Sequence, residues 1–193
     1  DGGEGISLKD LAQIVYYRGH ELPPGTNAEL IATASFSIEG IPFVFTNSAM
    51  GCLVDVDVDT GLTKIEKFWA VEDCGTQINP KLVEEQIRGG VVQGIGGALY
   101  EECIYDEMGN LTNGNMADYL VPMAYEMPDI IVDHVTTNSG RSILGAKGAG
   151  EAGTGGAPGA IMNAINDALI SLNTEVTSQP ITPEKVLKAL GKI

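Results

Sequence analysis

One carboxylate stands alone in a run of very small residues. In "LGAKGAGEAGTGGAPGAIMNAINDAL", Leu144 to Leu169, Glu151 is flanked by Gly145, Gly148, Gly150, Gly153, Gly155, Gly156 and Gly159. A positioned carboxylate works as a general base when its surroundings raise its pKa modestly. Glycines around it let the backbone close on a ligand and leave Glu151 as the reaching side chain. Lys147, four residues earlier, either binds an anionic group or is an ordinary surface lysine. A flexible linker is the competing explanation for so much glycine. Linkers favour Ser and charge, whereas these glycines alternate with Ala and run directly into an apolar helix pattern. Gly148 to Gly153 also fits G-x-G-x-x-G. A dinucleotide fold needs an apolar strand just before that motif, and "TTNSGRSILGAK" is mostly polar. No Gly-Lys-Ser/Thr closes the run, so a P-loop fails as well.

The second polar side chain in unusual company is Gln93. It lies in "INPKLVEEQIRGGVVQGIGGALYEECIYDE", which reads as a long helix with Asn79 as its cap and Pro80 at its first position. Glu84 and Glu85 suit the helix dipole in the early turns. The pattern nevertheless contains Gly89, Gly90, Gly94, Gly96 and Gly97. Each costs roughly 1 kcal/mol relative to Ala inside a helix. Such a cost needs a reason, either a ligand approaching closely or tight packing on another element.

Other segments must hold these two in place. "SLKDLAQIVYYRG" puts Leu8, Leu11, Ile14 and Val15 on one helical stripe with Ser7 as cap, and Pro23-Pro24 leads into a loop. "ELIATASFSI", residues 29–38, alternates as a strand ending in a Glu39-Gly40 turn. In "LVDVDVDTGLTKIEKFWAVEDCG", Val54, Val56 and Val58 alternate with Asp55, Asp57 and Asp59, Asp59-Thr60-Gly61 turns the chain, and Ile65, Phe68 and Val71 continue it. That predicts an antiparallel hairpin with the three acids on its wet face. A calcium loop would instead set its acids on a turn around an internal Gly. Met116, Met123 and Met127 read as core fillers in an irregular crossing before a strand near 130–135. A helix follows from Ala157, with Ile161, Ile165, Ala168 and Leu169 on one side, and Thr182-Pro183 opens a short final helix. The fold class is α+β: an antiparallel hairpin sheet with packed helices.

Composition narrows the function. The 193 residues are 44% hydrophobic with a formal net charge of −15. That charge repels phosphate backbones, so nucleic acid is not expected as a partner. No apolar run reaches the ~18 residues of a membrane span. Cys52, Cys74 and Cys103 match neither a zinc signature nor a disulfide framework, which points to a reducing, cytoplasmic compartment. Two histidines, His20 and His134, cannot build a histidine-rich metal site.

Four of these segments together resemble one family. "VEDCGTQINPKLVEEQIRGGVVQGIGGALYEE", "DYLVPMAYEMPDI", "GAKGAGEAGT" and the hairpin before them are similar, in this order, to the C-terminal molybdenum-cofactor region of the xanthine dehydrogenase, aldehyde oxidase and aerobic carbon monoxide dehydrogenase family. The resemblance implies one portion, residues 1–193, of a molybdopterin-binding domain: a lead-in over 1–45, the cofactor-site core over 46–170 and a terminal helix over 171–193. It makes Glu151 the catalytic base. It places Gln93, Gly94, Lys147, Ala149 and Gly150 against a molybdenum–molybdopterin cofactor, of the cytosine dinucleotide form in a bacterial protein. The metal would be held through the pterin dithiolene with no direct protein ligand. The implied reaction hydroxylates an aldehyde or N-heterocycle with oxygen from water. The implied partners are the remaining part of the molybdenum subunit, a small-molecule substrate, and subunits carrying iron–sulfur clusters and FAD. The family's subunit is several times longer than this chain, so the chain would be a piece of it or a split subunit. The alternative is a non-catalytic subunit or interaction module with the same fold.

Overall fold

The structure, a computed structural model, describes residues 5–38, 40 and 43–193. The backbone divides into two compact units, Asp1–Ile38 and Glu39–Ile193. In the first, helix α1 spans Leu8–Tyr17, and its start is closed by Ser7 Oγ accepting the Asp10 N–H at 3.1 Å. Val15 of the expected stripe is buried, whereas Leu8 faces solvent. The strand expected over 29–38 is absent. Leu30, Ile31 and Phe36 are exposed there, and no ladder partner lies alongside among the described residues. Alternation supplies a face but not a partner strand, and a lone strand leaves its backbone groups unpaired. Of the expected turn, Gly40 has φ +79°, and Glu39 lies outside the described residues.

The second unit contains the predicted hairpin, β1 (Asn47–Val56) paired antiparallel with β2 (Thr63–Asp73). A register shift after Leu53 leaves Glu66 unpaired, since Leu53 faces Lys67 and Val54 faces Ile65. That bulge lets Ile65 and Phe68, three residues apart, both point into the core. The acidic ladder is corrected. Only Asp55 is on the strand; Asp57 Oδ1 instead accepts the N–H groups of Asp59 (2.9 Å) and Thr60 (3.3 Å) and closes the turn. Asp59 pairs with Lys192 Nζ at 2.6 Å.

Helix α2 (Pro80–Leu99) begins as expected, with Asn79 Oδ1 accepting the Leu82 N–H at 3.2 Å and Pro80 first. Strand β3 (Asp129–His134) then pairs with β2 in parallel, giving a mixed sheet in the order β1-β2-β3. The class is α+β as expected, but β2-α2-β3 is a parallel crossover that the hairpin pattern did not announce. The crossing before β3 runs over the surface, tied by its own turns: Asn113 Oδ1 accepts from Ile104 N and its amide donates to the Glu102 carbonyl. Met116 and Met123 are therefore exposed rather than core, and only Met127 packs inward.

Helix α3 (Ala152–Leu169) starts five residues earlier than the pattern suggested, and Ala168 is exposed while Ile161, Ile165 and Leu169 are buried. Helix α4 (Pro183–Ala189) has Thr182 as its cap. Phe68 and Ala70 of β2 meet Ile87, Val91 and Ile95 of α2 and Ala157, Ile161 and Ile165 of α3 in one core. The opposite face of the sheet leaves Leu53, Trp69 and Ile131 exposed.

The helix glycines explain how α2 and α3 come so close. A Cβ on Gly153 would lie 2.3 Å from the Ile87 carbonyl oxygen, one on Gly90 would lie 3.0 Å from Gly153 Cα, and one on Gly94 would lie 2.6 Å from Ala157 Cβ. Gly90 and Gly94, one turn apart, thus face Gly153 and Ala157, also one turn apart. Gly89 and Gly97 have open space instead. Gly153→Ala should destabilise the chain by about 1–3 kcal/mol through overpacking. Gly97→Ala should be neutral or stabilise it by up to about 1 kcal/mol. Denaturant midpoints of the two variants check this, and equal midpoints would contradict the seam.

Candidate functional site

The first turns of α3 present Glu151. It occupies the cap position with φ −118° and ψ 9°, and its side chain does not cap the helix. The carboxylate is left exposed on the wall of a cleft of ≈ 490 Å³ lined by Thr46, Ser48, Gly148, Gly150, Glu151, Ala152 and Gly155. One wall is the lead-in and start of β1, and the other is the glycine loop and the start of α3.

Two anchors hold the loop. At its base, Gly75 and Ala146 form an antiparallel bridge, and the Lys147 N–H donates to the Cys74 carbonyl at 2.7 Å. Gly75 has φ +64°, and a Cβ there would lie 2.1 Å from the Gly145 oxygen, so only glycine fits. Lys147 Nζ lies 2.9 Å from Asp73 Oδ2 at the end of β2, the two side chains being 8% and 12% exposed. Asp73 Oδ1 also accepts the N–H groups of Gly75 and Thr137, each at 3.0 Å. The Lys147 ammonium, with those N–H donors, holds the Asp73 carboxyl well below the usual carboxylate range. Nearer Glu151, the Gln86 side-chain amide donates to the Gly150 carbonyl at 2.8 Å.

The expected site residues therefore separate. Glu151 and Gly150 share the cleft, whereas Ala149, half-buried between Gly148 and Gly150, does not line it. Gln93 is exposed on α2, with its Oε1 3.4 Å from the Thr154 hydroxyl, which also donates to the Gly90 carbonyl at 3.1 Å. Gly94 is buried in the helix seam, and Lys147 is committed to Asp73. Thr46, Ser48, Asp73 and Gln86 were not singled out in the sequence. Gln86 had a signal: it precedes Gln93 by two helical turns and so shares its side of α2. Asp73 had none, because its partner lies 74 positions away.

The glycines of the cleft differ from those of the seam. At Gly148, Gly150 and Gly155 a Cβ would meet nothing within 4 Å, and none of the three has positive φ. The fold itself does not require glycine there. Three side-chain-free positions thus lie on one wall of the cleft beside the exposed Glu151 carboxylate.

Comparison with known proteins places the chain in a family. The profile of the molybdopterin cofactor-binding domain family matches residues 2–128, and the chain belongs to that family. The nicotine 6-hydroxylase large subunit of Paenarthrobacter nicotinovorans is 41% identical over 184 residues, 95% of this chain and 22% of that protein. The carbon monoxide dehydrogenase large chain of Afipia carboxidovorans is 35% identical over 174 residues, 90% of this chain and 21% of its own length. The crystal structure of quinoline 2-oxidoreductase from Pseudomonas putida 86 superposes with a TM-score of 0.81 at 41% identity, over 93% of this chain and 22% of that one. The chain thus spans about a fifth of the length of these relatives. No helix among the described residues is long and apolar enough to cross a membrane.

Beside the cleft lies a buried acid. Ser48, Glu72 and His134 are register partners across β1, β2 and β3. Glu72 is 0% exposed, and neither carboxylate oxygen has a hydrogen-bond partner among the described residues. Burial pushes its pKa from 4.5 to about 7. The folded chain therefore holds a proton that the unfolded chain loses near 4.5. The stability this contributes is complete below that value and is lost as pH rises through about 7. Glu72→Gln should remove this loss, so its melting temperature should gain on wild type as pH rises from about 5 to about 8. A constant difference between the two across that range would contradict it.

Proposed function

We propose that this chain is part of the large subunit of a molybdenum hydroxylase, supplying the catalytic glutamate and one wall of the molybdopterin site. The observation that carries this is the row of cleft glycines whose hydrogens are not needed by the fold. Gly148, Gly150 and Gly155 make a surface on which a planar pterin can lie; Ala149 sits between two of them in the chain, and Gln93 is exposed on α2 beside Thr154 of α3. Lys147 and Gly94 serve that surface indirectly, Lys147 by tying the loop to β2 and Gly94 by drawing α3 against α2.

The molybdenum–molybdopterin cofactor, in its cytosine dinucleotide form, supplies the two-electron oxidation when bound. Hydroxylation converts a substrate C–H and water into C–OH, two protons and two electrons. Glu151, exposed at the cleft edge, takes a proton from the water-derived oxygen as the new C–O bond forms. The electrons leave to iron–sulfur clusters and a flavin on partner subunits; the "large subunit" and "large chain" names of the relatives support the presence of further subunits. The substrate we favour is an N-heteroaromatic ring, the class shared by the nicotine and quinoline enzymes at 41% identity. Three free thiols suit a cytoplasmic setting.

Two variants in the full-length subunit test this. Glu151→Gln should lower kcat by at least ~10²-fold with molybdenum content unchanged. Gly150→Ala should leave the melting temperature unaltered while reducing cofactor content. Wild-type turnover in the first, or full loading in the second, would overturn the reading.

A further inference from the structure

Among the described residues no partner holds the Glu151 carboxylate, which neither caps α3 nor is buried. Its aim is therefore set by the backbone around it. On the helix side that backbone is fixed. Gly153 is wedged against the Ile87 carbonyl, and the Thr154 hydroxyl bonds the Gly90 carbonyl. On the loop side it is fixed up to Lys147, through the Cys74 carbonyl and Asp73. Between these anchors lie Gly148, Ala149 and Gly150, two of them with no side chain to restrict rotation. Among the described residues, one side chain bonds this stretch: Gln86, from α2, donates to the Gly150 carbonyl at 2.8 Å. That carbonyl belongs to the peptide joining Gly150 to Glu151, so the bond fixes the plane from which the Glu151 Cα departs.

We propose that Gln86 is a positioning residue for Glu151, orienting the Gly150–Glu151 peptide and through it the direction of the carboxylate. The proposal rests on the reading of Glu151 as the base. The chemistry required at position 86 is a donor of glutamine length. A carboxylate of the same shape has no proton to give and repels the carbonyl oxygen, whereas a lysine ammonium restores a donor. The α2–α3 seam supplies the reach, because it brings the start of α3 against the turn of α2 that follows Gln86. A misplacement of about 1 Å at a reacting group costs up to about 10²-fold in rate.

The test uses the full-length large subunit in its assembled complex, with Gln86→Glu, Gln86→Lys and, alongside, Glu151→Gln. Gln86→Glu should lower kcat about 10- to 100-fold, with KM, molybdenum content and melting temperature near wild type. Gln86→Lys should recover most of the lost rate. Amide hydrogen exchange at Gly150 to Gly153 gives a readout apart from turnover: faster in Gln86→Glu, close to wild type in Gln86→Lys. If Gln86→Glu keeps both the wild-type rate and wild-type exchange, or if the Lys variant is as impaired as the Glu variant, the positioning role is wrong. If Glu151→Gln turns over normally, the base assignment falls. If Glu151→Gln is inactive while Gln86→Glu is unimpaired, the positioning role falls alone.

Discussion

The close approach of α2 and α3 is the constraint on which the rest of this structure depends. Gly90 and Gly94 on one helix face Gly153 and Ala157 on the other, at distances no larger side chain permits. Glycine inside a helix is a local loss of about 1 kcal/mol, and the seam returns it as packing between backbones. Its consequence reaches the cleft. Because α3 is pressed on α2 from its second residue, Glu151 is delivered at a defined height on the wall, and Gln86 lies within reach of the peptide before it. The same residue type then has a second use a few positions away. At positions 148, 150 and 155 a side chain would meet nothing within 4 Å among the described residues, and glycine there bares the backbone to the cleft.

Three acids around this site are kept in three different states by their surroundings. Asp73 is ionised and saturated by Lys147 and two N–H groups, so it serves as a structural anchor. Glu72, one residue earlier and on the opposite face of β2, is sealed away from water with no hydrogen-bond partner among the described residues, and burial favours its neutral form. Glu151 is open to the cleft. Of the three, only the last lines the cleft.

Much of this was legible in the residues. Asn79-Pro80 and Thr182-Pro183 marked helix starts because capping is a local interaction. The isolation of Glu151 among small residues marked the cleft wall. What stayed hidden was non-local. The residues 29–38 alternate convincingly, yet have no partner strand among the described residues. The parallel pairing of β3 with β2 depends on a crossover that no turn residue announces. Lys147 looked free because Asp73 is 74 positions away. The early start of α3 was masked because glycine, a poor helix former, was chosen there for the seam. The methionines at 116 and 123 are exposed because the crossing that carries them is tied by its own polar turns rather than by burial.

The most direct measurement is the position of molybdenum in crystals of the assembled, cofactor-loaded enzyme, from anomalous scattering at the metal's absorption edge. The metal should lie in the cleft with the Glu151 carboxylate turned toward it and the pterin plane over Gly148 and Gly150. A metal located away from that wall, or a Glu151 side chain directed into bulk solvent in the loaded enzyme, would contradict the role assigned to both.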